Sequence, residues 1–159
     1  MKAPQFELLG VDGRRYSPIT ARGDKGLLVM FICNHCPYVK RSLDRIVSDC
    51  RALVPQGIGG IAVMPNDPVE YPEDSFDNMK RLAADKRFPF PYVIDETQDV
   101  ARAYGVVCTP EFYGFNAALE LGYHGRIEEL SAAMLQIAST ATGPKEQRPS
   151  VGCSIKWKS

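Results

Sequence analysis

Histidine and tryptophan are almost missing from this sequence: His35, His124 and Trp157 are all it has. The chain also carries one Cys-x-x-Cys and no second pair. A structural zinc site needs four thiolate or imidazole ligands, so no metal is expected, and no motif asks for another cofactor. An excess of charge of one sign is missing too. Nineteen Lys and Arg balance nineteen Asp and Glu, so no overall field draws the chain to nucleic acid or to an anionic membrane. No apolar run is long enough to cross a bilayer, and the opening "MKAPQFELLG" lacks the apolar core of a leader peptide. The expected compartment is the cytoplasm, without nucleic-acid or membrane partners. Internal repeats and low-complexity segments are absent as well, and no feature demands an oligomer.

What is present is one domain's worth of chain. At 159 residues with 45% hydrophobic content, residues 1–159 can bury a core of their own, and 141–159 read as a C-terminal tail wrapping the surface. Five cysteines stand out. The number is odd and too small for a secreted disulfide framework, which leaves reactive thiols as the reading to pursue.

Hydrophobic periodicity gives the element order. "FELLGVDGRRYS" reads as a hairpin around Asp12-Gly13. Leu27 to Ile32 is a continuous apolar run, as in a strand buried on both faces. Pro37 to Val54 carries a helical stripe at 39, 43, 46, 47, 50, 53 and 54. Gly57 to Met64 is a second buried strand, and Phe76, Met79, Leu82 and Ala83 mark another helix. "PYVID" is a short strand, and "ETQDVARAYG" a short helix stopped by Gly105. "EFYGF" and "LELGY" form two strands around a turn at 116–118, and Ile127 to Ala138 a last helix. In the tail, "SIKW" is the expected strand. Strands alternating with helices predict a partly parallel sheet, and the closing hairpin adds an antiparallel part. The fold class is α/β, a mixed central sheet with helices on both faces and an N-terminal hairpin.

The usual reading of Cys-x-x-Cys makes the first cysteine the attacker. Here helix chemistry points to the second. Proline is favoured at the first helical position, so Pro37 starts the helix and Cys36 becomes its N-cap. A sulfur there meets unpaired N–H groups and the positive end of the helix dipole, both of which favour the thiolate. Cys33 lies one step back, in the loop leaving the strand. His35, Lys40 and Arg41 are close in sequence, although the two basic residues also suit a solvated helix face. Cys50 falls on the buried stripe. Asn66 and Asp67 either border the site or serve the "MPNDP" turn. His124 and Arg126 read as hairpin surface residues.

The segments "FICNHCPYVK", "YGVVCTPEFYGF", "YHGR" and "PSVGCSIKW" together resemble the thioredoxin fold, and within it the peroxiredoxin-like AhpC/TSA branch, including its thiol–disulfide isomerase and thioredoxin-like members. The resemblance spans nearly the whole chain. It implies that Cys36 is the nucleophile and Cys33 the resolving cysteine. It implies further that Pro110 is cis, and that the Thr109 backbone is open to a substrate strand. Cys108, just before that pair, is either a further redox thiol or a small buried hydrophobe. Cys153 is either a late resolving thiol or an inert tail residue. Met30 stands where thioredoxins bury an aspartate, so the usual acid–base helper is not evident.

The function that follows is thiol–disulfide exchange, with a disulfide-containing protein or small thiol compound as substrate and an external thiol reductant. A thiol peroxidase is the alternative. Against it, the residues that resemble a peroxiredoxin's Pro-x-x-x-Thr-x-x-Cys motif are Val29, Cys33 and Cys36, and the Thr109-Pro110 loop takes the place of that family's arginine. A third reading is non-enzymatic: a redox sensor, or a Cu(I) binder using Cys33, Cys36 and a histidine.

Overall fold

The computed structural model describes the whole chain, Met1–Ser159. A short hairpin, β1 (Leu8–Gly10) and β2 (Arg15–Tyr16), opens it and leads into a single helical turn, α1 (Pro18–Ala21). Then come β3 (Gly26–Phe31), the long helix α2 (Pro37–Leu53) and β4 (Ile58–Met64). α3 (Phe76–Lys86), β5 (Tyr92–Ile94) and α4 (Asp99–Tyr104) follow. The second half contains β6 (Cys108–Thr109), β7 (Glu111–Asn116), β8 (Leu121–Gly125) and α5 (Leu130–Thr140). The tail adds β9 (Cys153–Ser154).

Seven strands form one sheet in the order β2-β1-β5-β4-β3-β7-β8. β3 and β4 run parallel, as do β4 and β5, while β7 lies antiparallel to β3 and β8 to β7. Every residue of β3 is buried, which is why "GLLVMF" has no polar alternation. Its side chains divide between the two faces. Leu28, Met30 and Ile32 pack with Val39, Leu43, Ile46, Val47 and Cys50 of α2, Met79 of α3 and the apolar side of α5. Leu27, Val29 and Phe31 pack on the other face with Val100, Ala101 and Tyr104 of α4. The strand's end is therefore clamped between two cores, and the loop after it inherits that fixed position.

Sequence and structure differ in three small elements. α1 has only four residues, too few for a periodic pattern; its signal was the Ser17–Thr20 capping box, in which each side chain accepts from the other's backbone N–H. β6 has two residues and pairs only with β9. The tail strand falls on Cys153–Ser154, one step before the expected "SIKW", because Ile155 turns inward and is buried.

Candidate functional site

The site forms where β3 ends and α2 begins. Phe31 and Ile32 are fully buried, and the chain then passes Cys33, Asn34 and His35 before Cys36 caps the helix. Cys36 has the extended backbone of a cap residue (φ −62°, ψ 129°), with Pro37 at the first helical position. Across from it lies the loop with the cis Thr109–Pro110 bond. Thr109 touches both cysteines: its hydroxyl is 3.4 Å from Cys33 Sγ, and its carbonyl oxygen accepts from the Cys36 thiol at 3.5 Å. All five cysteines are free thiols.

The two thiols of the motif differ sharply. Burial raises both, because a thiolate loses hydration. For Cys33 burial wins. Its pKa is pushed up to about 12, the Thr109 hydroxyl helping the thiolate a little and the Asp74 carboxylate opposing it. For Cys36 burial loses. The Cys153 thiol, the backbone N–H groups of Val39 and Tyr38, and the Cys153 N–H bear on its sulfur and hold it below an ordinary thiol. Hydrogen bonds to a charged group contribute about 1.5–3 kcal/mol each, so several together outweigh partial desolvation. The neutral thiol makes no regular capping bond; the N–H groups act on the thiolate. Cys36 is nevertheless only 1% exposed. A cleft of about 210 Å³, lined in part by Tyr38, Arg41, Pro110, Arg126 and Val151, borders this region.

A buried carboxylate stands behind Cys33. Asp74 is fully buried, and its oxygens accept from the Asn34 backbone N–H at 2.8 Å and the Asn66 amide at 2.9 Å. His35 Nδ1 is 2.9 Å from Asp74 Oδ2, and the imidazole stacks parallel to Tyr71. Cys33, His35 and Asp74 each offer one donor atom, all within 4.8 Å of one another. Three donors fall one short of a structural zinc set. Asp74 had no legible signal: it sits in the polar run "YPEDSFDN", where an exposed loop would read the same. It places a buried carboxylate beside Cys33, where Met30, at the usual strand position, offers none.

The remaining candidates separate clearly. Cys50 is core. Cys108 is buried and its thiol is pushed up to about 12 by burial and the neighbouring Glu111 carboxylate. Lys40 and Arg41 lie on an exposed helix face, Arg41 stacking over Tyr38. Asn66 is a tie-point, bonded to Asp74 and to the tail at Lys156 N–H. His124 is more than a hairpin surface residue: its ring stacks on Tyr113 and its Nε2 meets the buried Glu111 carboxylate. Glu111 could have been found, since a lone acid in "CTPEFYGF" interrupts an apolar strand. Cys153 is brought directly to Cys36 by the pairing of β9 with β6, where Thr109 and Cys153 are register partners.

Comparison with known proteins agrees with this fold. No curated protein matches the sequence. Among solved structures, an uncharacterized conserved protein from Geobacillus kaustophilus is 40% identical with a TM-score of 0.96, covering 99% of this chain and 91% of its own. A hypothetical protein from Sinorhizobium meliloti is 28% identical with a TM-score of 0.96, covering 100% and 94%. At the level of fold alone, peroxidoxin BcpB from Mycobacterium tuberculosis superimposes with a TM-score of 0.68 at 12% identity, covering 87% and 94%. The AhpC/TSA family model matches residues 1–130. With that match over most of its length and a thioredoxin-like fold, the chain belongs to the AhpC/TSA family.

Proposed function

We propose that this protein is a thiol–disulfide oxidoreductase with Cys36 as nucleophile and Cys33 as a resolving thiol. One observation carries the reading: the Cys36 sulfur meets the Tyr38 and Val39 N–H groups in the first turn of α2 and is held below an ordinary thiol, whereas Cys33 has only the Cys36 N–H and is raised by burial. The Cys36 thiolate attacks one sulfur of a substrate disulfide and expels the other as a thiolate. Cys33 then attacks the Cys36 sulfur, closing a Cys33–Cys36 disulfide and releasing the second substrate thiol. In this reading its proton passes to the buried Asp74 carboxylate, which lies within 4.8 Å beside the half-buried His35. An external thiol reductant returns the site to two thiols. The substrate is a protein disulfide or a small disulfide, and a reducing compartment such as the cytoplasm suits the free thiols.

Family membership favours thiol peroxidase chemistry as a second reading. The groups that act most strongly on the Cys36 sulfur are backbone N–H groups and a thiol rather than a guanidinium.

The test is the reaction of the fully reduced protein with a model disulfide, followed by stopped flow. Wild type should react in one fast phase assigned to Cys36, and Cys36→Ser should lose that phase. Retention of the fast phase in Cys36→Ser rules out the assignment.

A further inference from the structure

The tail beyond α5 is docked along its length. Gln147 bridges to β8, accepting from the His124 backbone N–H at 2.9 Å and donating to the Gly122 carbonyl at 2.8 Å. The Ser150 hydroxyl donates to the Gly125 carbonyl at 2.6 Å. On the far side of β9, Ile155 is buried, and Lys156 donates its N–H to Asn66 Oδ1 at 2.9 Å. The Lys156 carbonyl accepts from the Asp67 N–H at 2.9 Å. Cys153 is thus pinned from both directions, opposite Thr109, the residue in contact with Cys33 and Cys36. The approach is close enough to need glycine. A Cβ on Gly152 would lie 2.1 Å from the Thr109 carbonyl oxygen.

We infer that Cys153 is a third redox thiol of this site, which attacks the Cys36 sulfur of a mixed disulfide and forms a Cys36–Cys153 bond that fastens the tail over β6. The inference rests on the Cys36 nucleophile proposed above and adds a resolving route beside Cys33. The Cys36 thiolate attacks R–S–S–R, and the first R–S⁻ leaves. Cys153, as its thiolate, attacks the Cys36 sulfur. The Cys36–S–R bond breaks, the Cys36–S–S–Cys153 bond forms, and the second R–S⁻ departs with the electron pair and takes up the proton that Cys153 lost. Two chain thiols are oxidised, one disulfide is reduced to two thiols, and an external dithiol reverses the change.

The electrostatics are timed for this step. In the reduced protein Cys153 is raised by burial and then by its contact with Cys36. Once Cys36 is bound in a mixed disulfide its charge is gone, and with it that part of the penalty. What remains includes the Tyr38 N–H and the Lys156 charge, both favouring the Cys153 thiolate. Cys33 is relieved of the Cys36 charge as well, but that is the smallest of the causes acting on it, and its burial and the Asp74 carboxylate persist. Attack at the shared sulfur needs access as well as charge, and β9 already supplies the contact.

The experiment treats reduced Cys33→Ser protein with 5,5′-dithiobis(2-nitrobenzoate), counts released nitrothiobenzoate, and maps tryptic peptides without reduction. Release of two equivalents, with the peptide spanning 26–40 linked to that spanning 146–156, is the expected result. A single equivalent, with the mixed disulfide persisting on Cys36, overturns the inference and leaves the exchange reading standing. If Cys36 takes up no reagent at all, that reading fails first. Gly152→Val keeps every cysteine and guards against misfolding of the Cys33 variant. Wild type should yield the same cross-link, and Gly152→Val should lose it several-fold in favour of a loop within 26–40. Wild type carrying only that internal loop counts against Cys153.

Discussion

His35 Nδ1 and Asp74 Oδ2 lie 2.9 Å apart, and both come within 4.8 Å of Cys33. Asp74 is the one fully buried carboxylate near the redox pair, held in place by the Asn34 backbone and the Asn66 amide. A thiol pushed up to about 12 cannot resolve a mixed disulfide at neutral pH unless something takes its proton. Asp74→Asn should therefore slow resolution by Cys33 by roughly 10²-fold or more, the usual scale for losing a positioned base. The background is Cys153→Ser, so that only Cys33 can resolve. The initial attack by Cys36 should keep its rate in the same stopped-flow trace. Equal slowing of both steps would assign Asp74 a purely structural part.

Cys36 should titrate below the 9.0 of an ordinary thiol. The thiolate forms as pH rises, so ultraviolet thiolate absorbance should show a first step below that value, absent in Cys36→Ser. Cys153→Ala removes one of the donors on the sulfur, so the step should move toward higher pH without disappearing. A Cys36 step that stays put in the Cys153 variant would show that the tail thiol has no part in setting it.

The buried thiols make an opposite, alkaline prediction. Cys33, Cys50 and Cys108 are each pushed up to about 12, chiefly by burial, from 9.0 in the unfolded chain. Each group's contribution to stability is complete below about 9 and is lost as pH climbs toward 12, because the unfolded chain releases its proton first. The slope for one such group is about 1.4 kcal/mol per pH unit. Cys50→Ala removes the group that lies farthest from the site's chemistry. Its urea-derived stability should be lower than wild type at pH 8, and the gap should narrow as the pH is raised. A constant gap would mean that the folded Cys50 thiol ionises normally.

Peroxide should be a poor substrate. The main stabilisers of the Cys36 thiolate are a thiol and N–H groups, and where the chain resembles the peroxiredoxin motif, Val29 and Cys33 stand at its proline and threonine positions. Electrostatic help of that kind is often the largest single contribution to rate. With equal concentrations of hydrogen peroxide and a model disulfide, oxidation of reduced protein should be faster with the disulfide. The reverse order would make the peroxidase reading the better one.

The elements with strong periodicity were legible. α2 begins at Pro37 and buries Val39, Leu43, Ile46, Val47, Cys50 and Leu53 as its stripe requires, and only Val54, just past its end, is exposed. Cys36 at the cap followed from Pro37 alone. What stayed hidden was set by long-range packing. Asp74 is buried because the segment after β4 folds back on Asn34, and no local pattern distinguishes it from Glu73 beside it. The meeting of Cys153 with Cys36 depends on a tail whose anchors, Gly125, Asn66 and Asp67, lie far away in sequence. Periodicity is silent on such contacts, because two-residue strands carry none.

Glu111 follows the cis Thr109–Pro110 bond and is 3% exposed. Its carboxylate accepts from the Val107 and Cys108 N–H groups at 3.0 and 3.2 Å and from the Tyr113 hydroxyl at 2.8 Å, with His124 Nε2 at 2.5 Å. Burial alone would raise its pKa, but the His124 contact, the two N–H groups and the Tyr113 hydroxyl reverse the shift and hold it below 4.5. For a carboxylate lowered by folding, the stabilisation is complete above its unfolded value and is lost as pH falls through the folded one. Wild-type stability should therefore decline as the pH drops below about 4.5, in part through Glu111. Glu111→Gln turns half the acceptor into a donor facing N–H groups, and should cost about 3 kcal/mol at neutral pH, the scale of one or two charge-assisted bonds. Its acid limb should be flatter than wild type. Because Glu111 fixes Val107 and Cys108, the same variant should loosen the Thr109 loop and slow attack by Cys36, measured against a model disulfide. Unchanged stability at neutral pH and an unchanged acid slope would show that the four contacts contribute nothing net, and that the loop is held by β6–β9 pairing instead.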